Sequence, residues 1–433
     1  MVDVAEVKIW GALAGAVLWD PGRGLASFEY DRRFSEKGPE LSPIKMPLHS
    51  GTRIYTFPEL GASRAGEPGT FKGLPGLLAD SLPDRYGNQL INVWLAQNGR
   101  PQNDMNPVEQ LCFIGTRGMG ALEFEPAQFK KNRQTFSVEI KSLVDMAQKM
   151  LSQREGFATN FLHDEQKAMM AVLKIGTSAG GVRPKAVIAY NKETGEVRSG
   201  QTTAPKGFEH WLIKLDGVSD AQFSISHGYG RVEMAYHLMA KDCGIEMTEC
   251  RLLEENDLAH FMTKRFDREG SAEKLHVQTF CAMQHFDYYN LYGYSYEQLF
   301  QTMRLLRLTY PEAEQMFRRM VFNVIATNCD DHTKNFAFLL QQGKSWKLSP
   351  AYDVCYAYNP DNIWVSQHSL SVNGKHKNIS RDDLMSIAKA NNIKRGEMII
   401  NEIKQVVSKW NTYAEDVKVK KELRDSIFKT LHV

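Results

Sequence analysis

Along its first third the chain alternates apolar and polar residues in short runs broken by glycine and proline, a period-two pattern that predicts strands. "VKIWGALAGAVLWDPGRGLASFEYD", Val7–Asp31, contains two such runs around Asp20-Pro21-Gly22-Arg23-Gly24, residues that supply turn dihedrals, so it predicts an opening β-hairpin. Ser81–Gly99 has helical spacing, and strand patterns with this helix make residues up to about Pro126 a small α+β unit. The polar, basic Gln128–Ser137 then marks a boundary, followed by helical spacing from Val138. Strand signals return at "AVIAYN" and "HWLIKLDG"; Val232, Ala235, Leu238 and Met239 predict a helix over Arg231–Gly244. After His285 the pattern is mainly helical, and Pro311–Asn328 reads as a core helix delivering the chain to a polar loop.

Composition adds limits rather than a function. A chain of 433 residues, 42% hydrophobic and 24% charged, is long enough for two or three cores. With 53 basic against 51 acidic residues, net +2, it has no global field to attract nucleic acid or lipid. The basic stretches Lys130–Arg133 and Val417–Arg424 read as solvated surface. Six cysteines lie scattered without CxxC spacing, which argues against a zinc site or disulfide scaffold and for a reducing cytoplasm. Lys8–Trp19 is apolar enough to suggest a signal peptide, but Asp3 and Glu6 spoil the basic start, and no run approaches the roughly 20 apolar residues of a membrane span.

The chemistry is concentrated in "NCDDHTKNFAFLLQQGKSWKLSPAYDV", Asn328–Val354. Phosphoryl transfer needs a carboxylate to orient the attacking hydroxyl, oxygen ligands for Mg2+, and cations on the phosphates. Protein kinases place the catalytic Asp five residues before a metal-binding Asn; Asp330 stands five before Asn335 and Asp331 only four. "NFAFLL", "QQGKS" and "WKL" predict a hairpin that returns Asp353 beside Asn335, where the pair would hold Mg2+. The competing reading is a solvated loop with Asp353 as a helix cap. His332 is read as packing within its loop, and Lys334 as pointing to phosphate or to water. Upstream, Gly176, Gly180 and Gly181 could turn backbone N–H groups toward phosphate, with Thr177 and Ser178 adding hydroxyls and Arg183 or Lys185 charge; an ordinary glycine-rich hairpin fits the same residues. Lys214 ends a strand-like run, as a kinase ATP lysine does, and Glu233 either pairs with it or favours the start of its own helix.

As an ordered set, "LPGLLADSLPDRYG", "FIGTRGMGALEFEP", "TSAGGVRPKA", "HWLIK", "KRFDR", "CDDHTKNF" and "LSPAYDV" resemble the HipA family of bacterial toxin serine/threonine kinases over nearly the whole length. The resemblance implies an α+β, two-lobed protein-kinase-like fold with an added N-terminal α+β subdomain. The divisions it implies are an N-terminal subdomain at 1–128, a kinase N-lobe at 129–290 with its phosphate loop at 176–185, and a helical C-lobe at 291–433 with the catalytic loop at 328–336. It implies Asp330 as catalytic residue and Asn335 and Asp353 as metal ligands. For ATP it implies Gly180, Gly181, Val182, Arg183, Lys185, Lys214, Lys264, Arg265, Phe266, His332, Lys334, Asn335, Tyr352 and Asp353. Ser178 matches the family's autophosphorylated serine, with Thr177 its adjacent rival, and "GGVRPK" departs from the best-known pattern, which has Gln and Glu before the lysine. The implied partners are a HipB-like helix-turn-helix antitoxin, operator DNA through that antitoxin, and a protein substrate, an aminoacyl-tRNA synthetase being the candidate class. Two alternatives are a mainly non-catalytic corepressor and a small-molecule kinase of the aminoglycoside-phosphotransferase type.

Overall fold

The computed structural model describes residues 2–49, 51–61, 69–126, 139–152, 184–200, 204–218, 228–255, 257–270 and 273–433. The phosphate-loop candidates 176–183, including Thr177, Ser178, Gly180, Gly181, Val182 and Arg183, lie outside them. The chain divides into two compact units: residues 1–41, 46–230 and 251–277 form one, and 42–45, 231–250 and 278–433 the other.

The first unit opens with strands β1 (Val4–Ile9), β2 (Ala12–Asp20), β3 (Leu25–Tyr30), β4 (Ile54–Thr56) and β5 (Leu122–Glu125), in the order β4-β3-β2-β1-β5. The predicted hairpin around Pro21–Gly24 is β2 and β3. The run before it is split in two, because Trp10 and Gly11 both take positive φ (+49° and +80°), the twist a two-residue hairpin turn requires. Its second sheet has β6 (Lys185–Tyr190), β7 (Val197–Ser199), β8 (Glu209–Lys214), β9 (Cys250–Glu255) and β10 (Leu258–Lys264), in the order β7-β6-β8-β10-β9. The helix Arg85–Gln97, capped by Asp84 accepting from the Gly87 amide at 2.6 Å, shares one core with this sheet. Tyr86, Leu90 and Leu95 are buried in the same cluster as Val187, Trp211 and Ile213. Thus residues on both sides of the boundary expected near 128 belong to a single core.

The second unit is mainly helical. Helix Tyr310–Ile325 buries Met316, Phe317, Met320, Val321 and Phe322, the apolar face read from the sequence. Its end is a Schellman turn: the Asn328 amide donates to the Asn323 carbonyl at 2.9 Å, and Thr327 adopts φ +54°. Thr327 is a costly residue for that conformation because of its branched Cβ; its hydroxyl is anchored to the Thr430 carbonyl at 2.8 Å. Beside this turn the Tyr236 hydroxyl donates to the Ala326 carbonyl at 2.6 Å, fully buried. Tyr236→Phe leaves that carbonyl unsatisfied and is expected to cost about 1–2 kcal/mol, read as a lower urea midpoint; an unchanged midpoint contradicts the bond's role. Among the described residues no helix is long and apolar enough to cross a membrane.

Candidate active site

After the Schellman turn the chain enters the Asn328–Phe336 loop extended, and the bonds that hold it come from far along the sequence. The Cys329 amide donates to the Ala357 carbonyl (3.0 Å), while the Ala357 amide returns to the Thr327 carbonyl (3.3 Å). A short 3-10 turn at Thr333–Asn335 closes with the Asn335 amide on the His332 carbonyl at 2.9 Å. The predicted hairpin follows: Ala337–Leu340 pairs antiparallel with Lys347–Leu348, Phe338 opposite Leu348. It returns the chain so that Tyr352 donates its hydroxyl to the Lys334 carbonyl at 2.6 Å. Asn335, Tyr352 and Asp353 consequently line one small cavity with Asn323, Asn328 and Asp331.

The two adjacent aspartates have opposite environments. Asp330 is about half exposed (side chain 48%), with the His332 Nε2 3.7 Å from its Oδ1. The side-chain Nδ2 of Asn335 donates to the Asp330 backbone carbonyl at 2.6 Å, which orients the Asn335 side chain within the loop. Asp353 takes φ +51°, a left-handed conformation that costs an aspartate about 1 kcal/mol and is held by the structure around it.

Asp331, by contrast, is buried. Its Oδ2 accepts from the Tyr296 hydroxyl (2.8 Å) and from His368 Nδ1 (3.0 Å), and its Oδ1 from the Ser369 amide (2.7 Å). The network continues from Tyr296 to Asn323 Nδ2 (3.0 Å) and from Asn323 Oδ1 to Asn328 Nδ2 (2.9 Å). Burial alone would push the His368 imidazolium toward its neutral form; the Asp331 charge and hydrogen bond outweigh that and raise its pKa to about 10. Burial, then the Asp331 charge, also keeps the Tyr296 hydroxyl protonated, its pKa far above the ordinary value. Asp331 and His368 were not singled out by motif spacing, and a partner 37 positions away leaves no local signal.

His332 Nδ1 accepts from the Lys334 backbone amide at 3.2 Å, so its ring takes part in the loop's own bonding. Lys334 holds its ammonium 4.7 Å from the centre of the Tyr288 ring, a cation–π contact.

The remaining candidates lie in the first unit. Lys214 sits at the end of β8, opposite Lys185 on β6 and Phe261 on β10, with its ammonium 5.8 Å from the Phe261 ring. Lys185 is buried, its ammonium 3.4 Å from Asp84 Oδ2, so this cation has a carboxylate partner inside its own unit. Lys264 pairs with Glu209. Arg265 makes a two-pronged bond to the fully buried Asp267 (2.9 and 2.7 Å), which also accepts from Arg268 and the Gly120 amide at 2.7 Å each. Burial would raise the Asp267 carboxyl, but the two guanidinium groups hold it well below the usual carboxylate range. The Arg265 guanidinium is therefore committed to structure. Glu233 is buried on the helix Tyr229–Asp242, in the second unit, whereas Lys214 belongs to the first.

The chain is thus a mixed α+β protein that carries an Asp, an Asn and a second Asp on one loop and the hairpin that follows it. The chain belongs to the HipA family: the HipA N-terminal domain matches residues 5–125 and the HipA-like C-terminal domain residues 177–410. Its fold is similar to that of HipA in a Shewanella oneidensis MR-1 toxin–antitoxin complex of HipA, HipB and operator DNA. There the TM-score is 0.68 and the identity 16%, covering 98% of this chain and 94% of that one. The Helicobacter pylori proinflammatory kinase CtkA is 13% identical over 51% of this chain and 90% of its own, with a TM-score of 0.31.

Proposed function

We propose that this HipA-family chain is an ATP- and Mg2+-dependent serine/threonine protein kinase. In this reading it is the toxin of a type II toxin–antitoxin system, acts in the cytoplasm, and restrains growth by phosphorylating a cellular protein, with an aminoacyl-tRNA synthetase the candidate class. The S. oneidensis relative's assembly with HipB and operator DNA supports a HipB-like helix-turn-helix antitoxin as partner, with DNA reached through it. Residues 1–128, 129–290 and 291–433 serve in this proposal as the N-terminal subdomain, N-lobe and C-lobe.

The single observation that carries the reading is the arrangement of Asp330, Asn335 and Asp353. Asn335 and Asp353 share a cavity, Asn335 is bonded to the Asp330 backbone, and the buried Asn328 Oδ1 in the same cavity has no hydrogen-bond partner. Hard oxygen donors beside an unsatisfied acceptor suit a hydrated Mg2+. Asn335 Oδ1 and the Asp353 carboxylate would hold it, and when bound it neutralises charge on the nucleotide phosphates. Asp330 aligns the substrate hydroxyl and accepts its proton. Lys214, the loop Gly180–Lys185, Lys264–Phe266, His332, Lys334 and Tyr352 complete the nucleotide site in this proposal.

The direct test is phosphotransfer from labelled ATP by the wild type beside Asp330→Ala and Asp353→Ala, with mapping of the modified residue. Labelling by the wild type and its loss in both variants is expected, and labelling that persists in both overturns the assignment. Autophosphorylation at Ser178 would put about two negative charges among donors meant for ATP phosphates. The stoichiometric Ser178 phosphoform is accordingly expected to lose ATP affinity in a direct binding titration; full binding removes this part of the proposal.

A further inference from the structure

A continuous line of aromatic rings leads from the catalytic loop to the surface of the second unit. His332, whose Nε2 is 3.7 Å from Asp330, lies 5.3 Å from the Tyr288 ring centre. The Tyr288 ring lies 4.2 Å from that of Tyr289, tilted by 31°, and Tyr289 meets Trp364 edge-on at 5.8 Å. At its outer end large apolar side chains are exposed together: Tyr289 and Trp364 at 38% and Ile363 at 64%. The backbone there is held in place, since the Tyr292 hydroxyl donates to the Ile363 carbonyl at 2.7 Å. Exposed apolar residues scattered singly need no explanation, whereas here they adjoin one another on an anchored segment.

We propose that this strip is the docking surface for the acceptor segment of the protein substrate: an extended stretch of polypeptide carrying a large apolar side chain near the Ser or Thr that is phosphorylated. The inference rests on the kinase reading. A polypeptide hydroxyl delivered to Asp330 brings its neighbours across the surface continuous with that loop, and here that surface is aromatic. The ring path from Asp330 to Trp364 is under about 20 Å, so at about 3.3 Å per extended residue the apolar side chain falls within about six residues of the acceptor. Rigid aromatic side chains offer large contact area at small entropic cost, as in other recognition surfaces.

The test uses the full chain and a Ser-centred peptide library varied at flanking positions, read both by direct binding and by phosphotransfer. The wild type is expected to prefer Leu, Ile, Phe or Met at one position within about six of the serine. Trp364→Ala and Tyr289→Ala are expected to raise KM for the preferred peptide about tenfold, with kcat and ATP affinity unchanged. No apolar preference, or a preference that survives both variants, overturns the proposal. So does a wild-type dimer that Trp364→Ala dissociates, which would give the strip to a second copy. Binding with the stated preference but no phosphotransfer leaves the docking surface standing and refutes the kinase reading; phosphotransfer without preference does the reverse.

Discussion

Asp330→Ala is expected to lower phosphotransfer by a factor of about 10²–10⁴, the usual contribution of a positioned general base, while leaving the folded state nearly untouched. The carboxylate is about half exposed, and the loop's shape depends on the Asp330 backbone carbonyl, which the substitution retains, through its bond from Asn335. A stability change of about 0.5 kcal/mol or less is expected for such a surface position. The measurements are single-turnover transfer from labelled ATP at saturating nucleotide and a denaturation midpoint on the same preparation. Loss of activity together with a large drop in midpoint would move Asp330 from chemistry to structure. An activity within threefold of wild type would remove it from the proposed role.

Asp331→Ala, one residue away, is expected to behave in the opposite manner. It strands His368 and the Tyr296 hydroxyl in the interior and removes the acceptor of the Ser369 amide, and breaking a buried ion pair from one side costs about 3–5 kcal/mol. Activity falls because the unit loosens around the loop. The pair also sets a pH dependence whose sign follows from His368. Its pKa is raised to about 10 in the folded protein against an ordinary 6.5, so its stabilising contribution is complete below about pH 6.5 and is lost as pH rises through about 10. Wild-type stability should therefore fall between these limits by more than that of His368→Gln. Equal slopes for the two proteins would show that His368 carries no such charge, and an Asp331→Ala midpoint equal to wild type would show that the pair is not a support for the loop.

How much of this was legible depends on the range of the interaction. The helix Tyr310–Ile325 and the strands Lys185–Tyr190 and Glu209–Lys214 follow from periodicity, because each side chain's environment repeats along the chain. The Ala337–Leu340 and Lys347–Leu348 hairpin was legible for the same reason, and with it the return of Asp353 to the neighbourhood of Asn335, whereas the Tyr352 hydroxyl bond to the Lys334 carbonyl was not. The end of the long helix was less so: no glycine announces it, and Thr327 holds a left-handed conformation with its hydroxyl tied to Thr430, about a hundred residues on. Lys185 and Arg265 show the same effect in reverse. Lys185 reads as a cation for phosphate and Arg265 enters the ATP site through the family resemblance, and both have buried acidic partners, Asp84 and Asp267, that neither reading reveals.

By itself the sequence determined the membership of this chain in its family through an ordered set of motifs, and the main helices and strands through periodicity, while its spacing prefers Asp330 over Asp331 for the proposed chemistry. What only the tertiary structure decided is why there are two aspartates at all. Asp330 is left at the surface while its neighbour is drawn inside by His368, Ser369 and Tyr296, and adjacent residues on an extended segment face opposite ways. That division between a solvent-facing carboxylate and a buried one depends on groups brought together from 35 to 38 positions away, a distance over which packing, and not pattern, selects the partner.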